Sequence, residues 1–188
     1  MYQNILAFDT SAAHCAVGLL WDGVMVVDRV EPMQKGQGEA LLPLIGAALA
    51  GRDRTRLQAI AVGIGPGNFT GTRIGVATAR GLSLSLGIPA IGISNFELLY
   101  HPDATSDGVH QRALSAPRDS IYVQEFDGLT AISDPVKTSG AAPSAPEDIP
   151  NRLIAYAQIK PSVTRPAPLY VRPPDAALPV EPPVTLLP

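Results

Sequence analysis

Apolar residues along this chain follow two different periods, and the change from one to the other marks out its elements. Residues 5 to 9, 15 to 21 and 24 to 30 are short, Val- and Leu-rich runs that predict three strands. The last two are joined by Asp22-Gly23, a strong hairpin signal. Residues 39 to 50 (EALLPLIGAALA) switch to a helical period, with Leu41, Leu42, Leu44, Ile45 and Leu49 as the apolar stripe. Pro43 must sit near the first turn of that helix or kink it. A buried strand over 59 to 64, a helix over 70 to 86 opened by Thr70, and a strand over 88 to 93 complete the first half. This order predicts an α/β layer fold in which a meander feeds a parallel part of the sheet.

The strand-to-helix junction Gly65-Pro66-Gly67-Asn68-Phe69-Thr70-Gly71-Thr72-Arg73-Ile74-Gly75 is dense in glycine. Glycines let a backbone approach a ligand or another backbone closely, and a helix start favours an anion. The spacing is neither G-x-G-x-x-G nor that of a P-loop, whose Lys-Ser/Thr pair is absent. Two readings stay open: a tight turn for internal packing, or a site for a bound group. Gly71, Gly75, Ala79, Ser83 and Gly87 recur every four residues along the following helix. Helical glycines cost about 0.5–1 kcal/mol each relative to Ala, so the stripe calls for close packing, inside the domain or at a subunit interface. Asp9-Thr10-Ser11 ends the first strand next to the glycine turn. There it could hold a magnesium ion or a phosphate, or simply satisfy turn amides.

After about residue 100 the sequence becomes rich in Pro, Ser and Asp, with strands predicted at 112 to 114, 120 to 126 and 153 to 157. From Pro143 to Pro188 the prolines predict an extended, polyproline-like path. Composition narrows the chemistry further. In 188 residues, 46% apolar content supports a real core. The net charge of −3, without a run of Lys or Arg, predicts weak binding of nucleic acid by this chain alone. The single Cys15 falls in an apolar strand and reads as a buried structural thiol, and the three histidines, His14, His101 and His110, lack zinc-site spacing and read as surface or satisfied residues. No apolar stretch suggests a signal peptide or a membrane span, so the expected location is the cytoplasm.

Five segments carry a resemblance to a known family: ILAFDTS near the start, EALLPLI at Glu39 to Ile45, GPGNFTGTRIG at Gly65 to Gly75, IPAIGIS at Ile88 to Ser94, and PLYVR at Pro168 to Arg172. Together they resemble the bacterial TsaB (YeaZ) proteins of tRNA threonylcarbamoyladenosine synthesis. The resemblance implies an actin-like, ribonuclease-H-like α/β fold with two related lobes, here residues 1–98 and a reduced second lobe over 99–188. It also implies a non-catalytic subunit that pairs with TsaD, is joined by the ATPase TsaE, and meets tRNA only through the complex. That complex modifies adenosine 37 of tRNAs reading codons that begin with A.

A homodimer is expected when the partner is absent. No metal, catalytic residue or required cofactor is expected, with at most weak ATP or ADP binding at Asp9, Thr10, Ser11, Gly65, Gly67 and Asn68. The expected partner surface comprises Leu41, Leu42, Ile45, Gly71, Arg73, Gly75, Ala79 and Ser83. The chain departs from the family pattern at Asn68, at Gln37 and at Ser115-Ala116-Pro117, which weakens a catalytic reading. The competing reading is an actin-like-fold ATP-binding enzyme, kinase-like or peptidase-like, that uses Asp9.

Overall fold

The computed structural model describes residues 1–102, 108–117, 119–160 and 165–171. Strands β1 (Ile5–Asp9), β2 (His14–Trp21) and β3 (Val24–Pro32) form the predicted antiparallel meander. Helix α1 (Gln37–Ala48), strand β4 (Ala59–Gly63), helix α2 (Phe69–Leu86) and strand β5 (Ala90–Ile93) follow. β4 adds to β1 in parallel and β5 adds to β4 in parallel, so the sheet order is β3-β2-β1-β4-β5. Alternate residues of β1 feed two cores. Leu6 and Phe8 pack with Leu41, Ile45, Ile60, Val62 and Ala79 under α1 and α2. Ile5 and Ala7 pack with Ala59, Ala61, Ile91 and Ile93 on the other face.

That second face is covered from far along the chain. A four-residue helix α3 (Asn95–Leu98) leads to a second, antiparallel sheet of β6 (Val109–Ala116), β7 (Ser120–Asp127), β8 (Thr130–Ala131) and β9 (Val136–Ser139). Helix α4 (Ile149–Ile159) then returns to the first sheet, with Leu153 and Tyr156 fully buried against Ile5, Ala61 and Ile91. Residues 165–171 cross α2 as an extended strap. Leu169 N donates to Ile64 O (2.8 Å), Arg80 Nε to Pro166 O (2.7 Å) and Arg73 Nε to Tyr170 Oη (2.7 Å).

Several sequence expectations are corrected here. The strand expected over 153 to 157 is the centre of α4. A five-residue apolar run suits a buried strand and a buried helix equally, and the flanks decide. Pro150 sits in the first turn, where its missing N–H costs nothing, and Arg152 pairs back to Asp148 (2.6 Å). Helix α2 is capped by Asn68, whose Oδ1 accepts from Gly71 N (2.9 Å), rather than by Thr70. Helix α1 starts at Gln37, which places Pro43 in the second turn, on the exposed side. Of the stretch from 143 to 188 expected to be extended, Ile149–Ile159 is helical, residues 165–171 are extended, and residues 161–164 and 172–188 lie outside the described residues.

Candidate functional site

β1 and β4 run parallel and end side by side, so Asp9 and the glycine turn meet at their carboxyl ends, the usual place for a ligand crevice in such sheets. The structure fills much of this space with the chain itself. Asp9 is 1% exposed, and its Oδ2 lies 2.6 Å from His14 Nε2. Its Oδ1 accepts from Ser11 N and its Oδ2 from Ser11 Oγ, both at 3.1 Å. Asn68 N donates to Ser11 O (2.6 Å), and Thr10 Oγ1 donates to Gly71 O (2.7 Å). Asn95, the first residue of α3, donates from its backbone N to Gly65 O (2.8 Å). Its Nδ2 reaches Ser11 Oγ (2.8 Å) and Pro66 O (3.0 Å).

These contacts explain the glycines. A β-carbon placed at Gly71 would lie 1.9 Å from Thr10 O, one at Gly67 2.1 Å from Ser11 O, and one at Gly63 1.9 Å from Asp9 Oδ1. No Cβ tolerates such distances. The turn and the start of α2 are therefore glycine-rich because they lie backbone-to-backbone against residues 10 and 11. A phosphate on the turn would compete with Ser11 O for Asn68 N and with Asn68 Oδ1 for Gly71 N. Asp9, Thr10, Ser11, Gly65, Gly67 and Asn68 are brought together as expected, in a hydrogen-bonded network whose Gly67 and Asn68 side is exposed. His14 and Asn95 belong to it as well, although the sequence reading did not assign them. For Asn95 the signal was legible: Ser94 and Glu97 form a capping box that opens α3 directly after β5.

Beside the network lies a cleft of about 480 Å³ between the two sheets. Asp9, Ser11, His14 and Asn95 line one wall, and Leu114, Pro117, Tyr122 and Pro146 the other. Cys15 is buried behind it. Burial, reinforced by Glu31 and Asp9, pushes its thiol up to about 11. Among the described residues no three His, Cys, Asp or Glu side chains gather as a metal site, and no helix is long and apolar enough to cross a membrane.

The residues expected to pair with a partner divide in two. Leu41, Ile45 and Ala79 are core residues at 0%, 4% and 0% exposure, and Gly71 and Gly75 face Thr10. This corrects the interface assignment for these five, because Leu41 and Ile45 belong to the core under α1, and the small-residue stripe of α2 packs against Thr10 and β4 of the same chain. Leu42 (59% exposed) and Arg73 remain on the surface, and Ser83 is half-buried, its Oγ donating to Ile88 O (2.6 Å). The surface also carries Leu84, 84% exposed, and Phe69, which lies under the Arg73 guanidinium at 3.6 Å and beside Tyr170 at 5.2 Å. A helical wheel of residues 69 to 86 would have placed Leu84 off the buried stripe.

The five-stranded mixed sheet with helices on both faces, set beside a smaller second sheet, defines an actin-like, ribonuclease-H-like fold. Residues 31–141 match the family model described as TsaD, tRNA N6-adenosine threonylcarbamoyltransferase. The chain is similar to the Escherichia coli tRNA threonylcarbamoyladenosine biosynthesis protein TsaB, 32% identical over 66% of this chain and 55% of that protein. It is similar also to an uncharacterized Mycobacterium tuberculosis protein, 30% identical over 93% of this chain and 94% of that one. Among solved structures, YeaZ from Pseudomonas aeruginosa superposes with a TM-score of 0.61 at 27% identity, covering 78% of this chain and 72% of the other. The chain belongs to the TsaB (YeaZ) family. Its match spans about half the length of the named TsaB relatives, and nearly all of the mycobacterial one.

Proposed function

We propose that this chain is a non-catalytic assembly subunit of the machinery that places threonylcarbamoyl on adenosine 37 of tRNAs reading codons that begin with A. It acts by pairing with a TsaD-type subunit, with a TsaE-type ATPase joining the pair, and it requires no nucleotide of its own. The observation that carries this reading is the Asp9 hydrogen-bond network: the carboxylate a kinase-like enzyme would use is engaged by His14 and Ser11, and the glycine turn is packed on backbone. Family membership supports the tRNA-modification context. The pairing surface in this reading is the exposed side of α1 and α2, carrying Leu42, Phe69, Arg73 and Leu84, rather than the buried stripe. The alternative is an ATP-binding enzyme that uses Asp9.

One experiment separates the two. The chain is co-expressed with the TsaD-type protein of its own organism and passed over a sizing column, and ATP hydrolysis by the chain alone is measured in parallel. Co-elution with negligible hydrolysis is the expected result. Separate elution, together with turnover above roughly 1 per second that Asp9→Ala abolishes, would favour the enzyme.

A further inference from the structure

The end of the first sheet opposite the cleft gathers cations around the chain's single tryptophan. Trp21 closes β2, across the sheet from the starts of β1 and β4, and the segment Gly51-Arg52-Asp53-Arg54-Thr55-Arg56 wraps beside it. The Arg56 guanidinium lies 5.2 Å and that of Arg52 5.9 Å from the Trp21 ring centre. Arg52 Nη1 also donates to Ala48 O (3.0 Å) at the end of α1, so two guanidinium groups are held in place before any ligand arrives. Arg54 sits between them in one exposed 3-10 turn. Two carboxylates stand against these three cations. Asp22 pairs with Arg56, and the exposed Asp53 accepts from Thr55 N (3.0 Å) and Thr55 Oγ1 (2.7 Å), which leaves three cations against two anions.

We propose that this corner is a contact for the phosphodiester backbone of an RNA strand. The choice of RNA over another polyanion rests on the tRNA-modification reading above. The ordered planar forks suit phosphate oxygens, and on a chain of net charge −3 a local excess of cations directs a polyanion to one place. With few contacts the affinity is low by itself, and the corner adds to binding made by other subunits.

Because Trp21 is the sole tryptophan, its emission in the full chain reads this corner directly. The chain is titrated with a tRNA anticodon stem-loop RNA and, separately, with polyglutamate. The expected result is a salt-sensitive emission change with RNA only, in the range of about 10⁻⁴–10⁻⁶ M. Arg54→Ala and Arg56→Ala each weaken it several-fold and reduce the salt slope by about one, while Arg29→Ala, on β3, leaves it as in the parent. An unchanged spectrum with RNA, an equal response to polyglutamate, or parent-like titration of Arg54→Ala overturns the proposal. The last variant removes an exposed side chain and keeps the test meaningful should Arg56→Ala fold poorly. Co-elution with the TsaD-type partner is unaffected by any of these outcomes, so failure here and failure of the functional reading are told apart.

Discussion

The two sheets of this chain are held by different physics. Every residue of β1 and β4 is buried, and those strands are covered on both faces by helices. β6 buries only Arg112 and β7 buries Ile121, Val123, Gln124 and Phe126, and their inner side is joined to the rest of the molecule through Arg112. That side chain is 1% exposed. Its guanidinium lies 4.0 Å from the Phe126 ring and 4.7 Å from the Tyr100 ring, and it donates to Phe96 O (3.3 Å) and Gly128 O (2.9 Å). The first sheet is thus specified by continuous apolar surface and by close backbone approach, the second by one polar hub. A sheet of the first kind fails through overpacking, and one of the second kind fails through an unmet hydrogen bond.

The sharpest test of that contrast is Gly71→Val. Its new side chain has a backbone carbonyl at 1.9 Å and no space to yield into, so a loss of about 3 kcal/mol or more is expected in urea unfolding, beyond the usual overpacking range. Arg112→Met comes next, with a loss of about 2–3 kcal/mol from stranded carbonyls and lost ring contacts. Hydrogen exchange should then rise in β6 and β7 well before β1 and β4. Equal loosening of both sheets would show that the hub is not confined to the second.

A smaller effect concerns Cys15. Its thiol is raised from 9.0 to about 11 in the folded chain, so the unfolded chain releases that proton first as pH rises. The associated stability is whole below pH 9 and drains away between about 9 and 11, and Cys15→Ala should lose that slope. Leu84→Ser is expected to be the mildest for the fold, within about 0.5 kcal/mol. In the proposed pairing it nonetheless weakens association with the TsaD-type subunit on a sizing column, and retention of full association moves the interface elsewhere.

The first sheet was readable because its strands are short apolar runs separated by strong turn signals, Asp22-Gly23 and the glycine turn among them. What the glycines are for was not readable. Gly67 and Gly71 owe their identity to the carbonyls of Ser11 and Thr10, some sixty residues away in sequence, and no local pattern records such a contact. The same limit applies to the helical stripe, whose period was plain while its partner, Thr10 and β4 rather than another chain, depended on tertiary packing. Residues 153 to 157 failed for a different reason, since period and length do not separate a buried strand from a buried helix in five residues. His14 and Asp9 are five apart across a hairpin, and their pairing follows from the β1–β2 register.

The return of α4 to the first sheet sets an order on synthesis. Tyr2 N donates to Gln158 Oε1 (2.8 Å) and Gln158 Nε2 to Tyr2 O (2.7 Å), so the start of the chain is fastened by residues made 156 positions later. While a ribosome is still adding the second sheet, Ile5, Ala7, Ala61 and Ile91 present an uncovered apolar face. Pairing across such separations is slow, and waiting surfaces of this kind attract chaperones and one another. The nascent chain is therefore most vulnerable after β5 has been made and before α4 has emerged.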